Sequence, residues 1–130
     1  MDAVTIVPEP ANEPVHSYAP GTAERDSLVA RLRELRGEHV ELTQTIGGRR
    51  RMAAGDRFAV VEPHRHASVL GTSANATDSD VADAVAAAKA WEDWSRWAWE
   101  DRAAVFLRAA ELLSGPWRDT LNAATMLGQS

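Results

Sequence analysis

The stretch that most constrains this chain is DRAAVFLRAAELLSGPWRDTLNAATMLGQS, residues 101–130. It predicts two helices punctuated at Ser114-Gly115-Pro116. On the first, Ala103, Phe106, Ala110 and Leu113 recur at three- and four-residue steps, and Leu107 widens the stripe. Gly115 can take the left-handed conformation that closes a helix, and Pro116 is pre-shaped to open the next. On the second, Trp117, Leu121 and Ala124 share a face, and Gly128 is a natural stop. Two apolar helices joined so tightly are expected to be packing neighbours in a larger body. The stretch is scaffold, not a chemical site.

The rest of the chain is ordered around that scaffold. Residues 1–20 hold Pro8, Pro10, Pro14 and Pro20 with few apolar anchors, which predicts an extended or disordered arm. Residues 21–37 predict a helix capped by Thr22, with Glu24 and Asp26 at its positive start and Leu28, Leu32 and Leu35 on one face. Arg31, Arg33 and Arg36 crowd its C-terminal end, read as solvated cations, and Gly37 closes it. Residues 42–76 read as short antiparallel strands: Thr43–Ile46, a turn at Gly47-Gly48, a return through Arg49–Met52, then Arg57–Glu62 and Val69–Ala74. Residues 77–130 are helical. Thr77 and Asp80 match a capping box, and Val81, Ala84, Val85, Ala88, Trp91 and Trp94 form one broad face of a helix ending near Trp97 or Trp99. The fold class is α+β, helix-dominated, with 21–130 as one partial domain.

Charge and composition exclude several roles. The net charge of −5 argues against a general nucleic-acid binder, and the positive middle owes its sign mainly to Arg49, Arg50 and Arg51. No cysteine is present, which removes disulfides and a thiol nucleophile from this sequence. The opening MDAVTIVPEP lacks a signal-peptide pattern, and no apolar run approaches a membrane span. The expectation is a cytoplasmic chain with neither nucleic acid nor membrane as partner.

Candidate chemistry is sparse. Glu62, His64 and His66 alternate as in a strand, and two histidines with a carboxylate can build a catalytic zinc site. Pro63 breaks that regularity and no fourth ligand is placed, so a structural or solvated role is the stronger reading and no metal ligand is assigned. Arg49–Arg51 could meet phosphate, but the preceding glycines lead into a strand rather than a helix, and no aromatic residues interleave to stack bases. These arginines are read as solvent-facing hairpin positions or as partners for acidic groups. Trp91, Trp94, Trp97 and Trp99 spread around a helix, so Trp97 or Trp99 stays exposed unless another surface covers it. Glu100 and Asp101 are adjacent and diverge, which removes them as an acid–base pair. Catalytic, cofactor and metal residues are all assigned as none.

The segments DRAAVFLRAAELLSGPWR and ATMLGQS, with EPHRHASVLGTSANAT and EPANEPVHSYAPG upstream, closely resemble the N-terminal region of the 1-pyrroline-5-carboxylate dehydrogenases. These belong to the aldehyde dehydrogenases. The resemblance implies oxidation of L-glutamate γ-semialdehyde to glutamate in proline degradation, with NAD as cofactor of the full-length family. It also implies an incomplete part of the NAD-binding domain, since the family's thiolate, glutamate and nucleotide fold lie after the matched region. No catalytic residue carries over to a position here. The expectation is an N-terminal fragment, inactive alone, whose partner is the remainder of the dehydrogenase or a homologous subunit. The alternative is a short non-catalytic module docking on a full-length homologue.

Overall fold

The computed structural model describes residues 9–89 and 92–129. Helix α1 (Ala23–Gly37) starts where predicted, with the Thr22 hydroxyl accepting from the Arg25 amide at 3.4 Å. It ends at Gly37 as expected, with Glu38 as the cap in extended conformation. The chain then forms β1 (Val40–Glu41), β2 (Gln44–Ile46), β3 (Arg49–Arg51), β4 (Arg57–Glu62) and β5 (Arg65–Ala74). Gly47 and Gly48 both have positive φ, so β2 and β3 close in the tight turn that their twist requires. Pro63 and His64 make the corner between β4 and β5, which pair antiparallel from Arg57↔Ala74 to Glu62↔Arg65 with irregular register near Val61.

The antiparallel expectation holds for both hairpins but omits β1. That strand pairs parallel to β5, giving a mixed sheet in the order β1-β5-β4. Its two residues carry too little pattern to be read locally; they are fixed by a distant partner. Gly71 on β5 is why they fit. It lies opposite Val40, and a Cβ there would sit 2.2 Å from the Val40 carbonyl oxygen.

Helices follow: α2 (Asp78–Lys89), α3 (Glu92–Arg96), α4 (Trp99–Ser114) and α5 (Arg118–Gln129). The helix predicted to end near Trp97 or Trp99 is seen as α2 to Lys89 and α3 to Arg96, and Trp91 lies outside the described residues. At the α4–α5 joint Gly115 caps with φ −108°, not left-handed, its amide bonding back to the Glu111 carbonyl at 3.1 Å. Pro116 and Trp117 belong to the turn, and α5 begins after them. Gly128 does not stop α5, which runs through Gln129.

Helix α5 packs along α1 and reaches β4, while α1 also meets β5. Ala123 and Leu127 are the buried apolar side chains of this junction, so the buried face of α5 is not the predicted Trp117, Leu121, Ala124 face. Polar links select it: Arg31 Nε donates to Thr120 Oγ1 at 3.1 Å, and the Ser27 hydroxyl donates to Asp119. The chain exposes 9956 Å². A compact monomer of its mass would expose about 6,700 Å². Much apolar surface therefore lacks a covering.

Gly71→Ala is expected to lower the urea midpoint by pushing β1 off β5, at a cost of roughly 1–3 kcal/mol. A circular-dichroism unfolding curve superimposable on the parent's would show that β1 is not held there.

Candidate functional site

Two side chains among the described residues are both charged and buried, Asp80 and Glu62. A carboxylate withdrawn from water needs donors to replace it. Asp80 collects them from separate segments. Its Oδ2 accepts from the Thr77 amide, the Thr77 hydroxyl and the Ala54 amide, each at 2.9 Å. Its Oδ1 accepts from Gln44 Nε2 at 2.9 Å and lies 3.0 Å from an Arg51 guanidinium nitrogen. The Asp80 amide returns to the Thr77 hydroxyl at 3.3 Å, which completes the predicted capping box. The same Arg51 nitrogen reaches Asp83 at 2.9 Å. Backbone donation from Thr77, then from Ala54, holds the Asp80 carboxyl far below its ordinary range, against the opposing effect of burial.

Glu62 sits where the C-terminal end of α1 meets the β4–β5 corner. Its Oε1 accepts from Arg36 Nε at 2.8 Å, from the Ser68 hydroxyl at 2.8 Å and from Arg65 at 3.1 Å. His64 Nε2 lies 3.2 Å from Oε2, without the alignment of a hydrogen bond. The Arg36 hydrogen bond, helped by Ser68 and Arg65, lowers the carboxyl from an ordinary 4.5 to about 2 despite its desolvation.

The structure thus gives the sequence candidates different roles from those their spacing offered. Glu62 is an anchor clamped by arginines, His64 is in the turn beside it, and His66 is exposed on β5. They do not converge as a ligand set, and among the described residues no three His, Cys, Asp or Glu side chains are grouped to hold a metal. Arg36 is not merely a solvated helix end but the principal partner of Glu62. Arg51 pairs with acidic groups of this chain, whereas Arg49 and Arg50 remain exposed, Arg50 reaching Thr43 Oγ1 at 3.4 Å. Sequence reasoning found the cap but missed the number of donors on Asp80. Donors from β2, β3 and the following loop are invisible to local spacing.

The remaining feature is apolar. Trp94 contacts both the Trp97 ring, at a centroid distance of 5.3 Å, and the Phe106 ring, at 6.3 Å. Yet Trp97 and Trp99 are exposed as anticipated, and so are Phe106, at 68%, and Leu113. Trp94, Trp99, Arg102, Ala103, Phe106 and Leu107 line an open groove of about 500 Å³. A second, of about 300 Å³, lies among Leu35, Val40, Leu42, Val60, Leu70 and Leu127 at the sheet–helix junction. On α2 the predicted apolar face also turns outward, with Val81 and Val85 exposed, because Asp80 faces the hairpin. No helix among the described residues is long and apolar enough to cross a membrane. The side chains gathered here can hold a scaffold and offer apolar surface.

The aldehyde dehydrogenase family profile matches residues 51–128, and the chain belongs to that family. Within it, the likeness is to 1-pyrroline-5-carboxylate dehydrogenases over the whole chain. The structure of the Mycobacterium tuberculosis Δ-pyrroline-5-carboxylate dehydrogenase bound with NAD superposes with a TM-score of 0.94 at 57% identity, covering 100% of this chain and 24% of that one. The Agaricus bisporus enzyme is 40% identical over 125 residues, 95% of this chain and 23% of its own length. The human mitochondrial enzyme is 36% identical over 120 residues, 92% of this chain and 21% of its own length. The chain spans about a quarter of the relatives it matches, and its fold is that of an aldehyde dehydrogenase N-terminal segment.

The Glu62 anchor has a definite pH signature. Its folded pKa is below its unfolded value, so its contribution is complete above pH 4.5 and is lost as pH falls towards about 2. In urea titrations at stepped pH, Glu62→Gln is expected to be less stable than the parent at pH 7 and to show a shallower loss across that acidic window. Equal slopes for the two proteins would remove Glu62 as the titrating anchor.

Proposed function

We propose that this chain is the N-terminal scaffold of an NAD-dependent dehydrogenase that oxidises L-glutamate γ-semialdehyde, the open form of 1-pyrroline-5-carboxylate, to L-glutamate in proline degradation. The observation that carries this is the full-length superposition on the Mycobacterium tuberculosis enzyme bound with NAD. The chemistry of that reaction needs a thiolate to attack the aldehyde and NAD to accept the hydride. The sequence has no cysteine, and its positive-φ glycine pair, Gly47 and Gly48, turns a hairpin instead of opening a helix onto a pyrophosphate. The residues present do not fit a dinucleotide site, so no step is assigned to them. Their part is to support the surfaces that carry one, in a cytoplasmic enzyme.

The exposed face of α4 favours a covering by further dehydrogenase surface. Trp99 is 54% exposed and Phe106 68% exposed, side chains that a folded enzyme places inside. The same face supports a second reading, in which the chain is a non-catalytic module seated on a full-length homologue. Both require the face to be covered; they differ in whether the covering polypeptide is continuous with this one.

The assay is reduction of NAD by 1-pyrroline-5-carboxylate. Native protein carrying this segment is expected to turn over, and the isolated 130-residue polypeptide to show no rate above buffer. Turnover by the isolated polypeptide would overturn the scaffold role, and a native protein inert towards this substrate would overturn the assigned reaction. The intact mass of the native protein separates a continuous enzyme from a docked module.

Phe106→Ser tests the covering directly. In the isolated polypeptide it should shift stability by less than about 0.5 kcal/mol, as for other exposed sites. In native protein it should cost on the order of 3–5 kcal/mol, the range for emptying a buried phenylalanine site. A small effect in both would leave the α4 face uncovered.

A further inference from the structure

Residues 9–20 form neither helix nor strand, yet they are held along α5 by named side chains. Arg118, in the first turn of α5, is largely withdrawn from solvent, its side chain 16% exposed. It donates to the Pro14 carbonyl at 2.9 Å and stands 3.7 Å from the Glu13 carboxylate. One helical turn further on, Asn122 Nδ2 donates to the Tyr18 hydroxyl at 3.2 Å. Arg25 of α1 reaches the Tyr18 carbonyl at 3.5 Å. These links tie the segment to both helices of the central pair.

Tyr18 is held at a price. Its φ is +49°, the non-glycine position of positive φ among the described residues. A bulky side chain occupies that left-handed region only when its surroundings over-determine it. The turn after it, where the Thr22 hydroxyl and amide both bond to the Ala19 carbonyl at 2.8 and 3.1 Å, sends the chain into α1. Val15 adds no apolar anchor, since it is 97% exposed and projects beside Ala110 and Leu113 into an open groove of about 610 Å³, and the Tyr18 ring is half-buried.

Polar ties with little apolar burial, set against a strained backbone, describe a reversible attachment. We infer that residues 13–18 are a strap with a docked and a released state, closed over the α4–α5 joint by Arg118 and reopened by relaxation of Tyr18. Docked, the strap fixes the start of α5 and walls one side of the groove at the end of α4. Released, it uncovers Arg118 and the Ala110–Leu113 face together. The proposal stands on the geometry of the strap and does not depend on the dehydrogenase reading.

The test places a fluorinated tyrosine at position 18 alone in the native protein and follows its fluorine resonance. The parent should show a signal displaced from that of the urea-unfolded chain. Arg118→Ala should lower the docked fraction at least about tenfold, the effect of losing one charge-assisted hydrogen bond, and move the signal to the unfolded position while far-UV circular dichroism is unchanged. Arg118→Lys, which keeps a cation but not the fork, should restore part of the displaced signal. If Arg118→Ala loses its helical signal, Asn122→Ala decides, because it removes only the donor to the Tyr18 hydroxyl: a shift towards the unfolded position with helices intact supports the strap. A parent signal already at the unfolded position, or one that neither Arg118→Ala nor Asn122→Ala moves, would overturn it.

Discussion

A buried carboxylate cannot be left without donors, and this fold is assembled around two of them. Water solvates a carboxylate strongly, so removing it is unfavourable unless every lost hydrogen bond is replaced. Asp80 satisfies this by drawing on β2, β3, the loop at Ala54 and the cap of α2. Glu62 does so at one oxygen, Oε1, by drawing on α1 and β5. Each donor has a position set by the others, which makes the elements mutually dependent despite a small apolar core. Withdrawing one donor exposes the carboxylate to an environment that offers no water in exchange. Register and orientation therefore follow from charge satisfaction as much as from hydrophobic burial.

That division explains why apolar patterning and observed burial disagree. An amphipathic stripe states which residues avoid water, but not which surface will cover them. On α2 the stripe and the carboxylate compete for the inward face. Asp80 takes that face through its donors on Gln44, Ala54 and Thr77, and Val81 and Val85 stay exposed. On α4 there is no competing anchor. Its Ala- and Leu-rich sequence sustains a helix by intrinsic propensity, and its stripe awaits a covering.

The parts legible in sequence are those whose causes are local. Thr22 and Thr77 announced their helices because a hydroxyl meets amides two or three residues away. Gly47-Gly48 announced the hairpin because the turn type needs positive φ at both positions. The helix ends at Gly37 and Ser114 fall where expected, but Gly115 is not left-handed and Gly128 does not stop α5, because a glycine permits a left-handed stop without enforcing one. Strand β1 and the Arg36–Glu62 pair depend on residues 31 and 26 positions distant, and nothing in their own neighbourhoods reports it. The histidines near Glu62 misled for a related reason. Their alternation assumed a continuous strand, but Pro63 and His64 turn the corner and aim the carboxylate inward.

Asp80 and Glu62 are bonded as structural anchors, which suits them to fixing the fold. A thioester-forming active site must hold its reacting atoms within a fraction of an ångström of their productive arrangement. That tolerance has to be met by elements that do not drift, and Asp80 and Glu62 provide such fixity without adding a reactive group. Their donors keep both carboxyls ionised at neutral pH, so they cannot shuttle protons there. A carboxylate that served as both anchor and acid–base catalyst would lose its structural partners each time it took a proton. Both carboxylates keep their donors only while they stay ionised, so their place in the fold is that of fixed anchors.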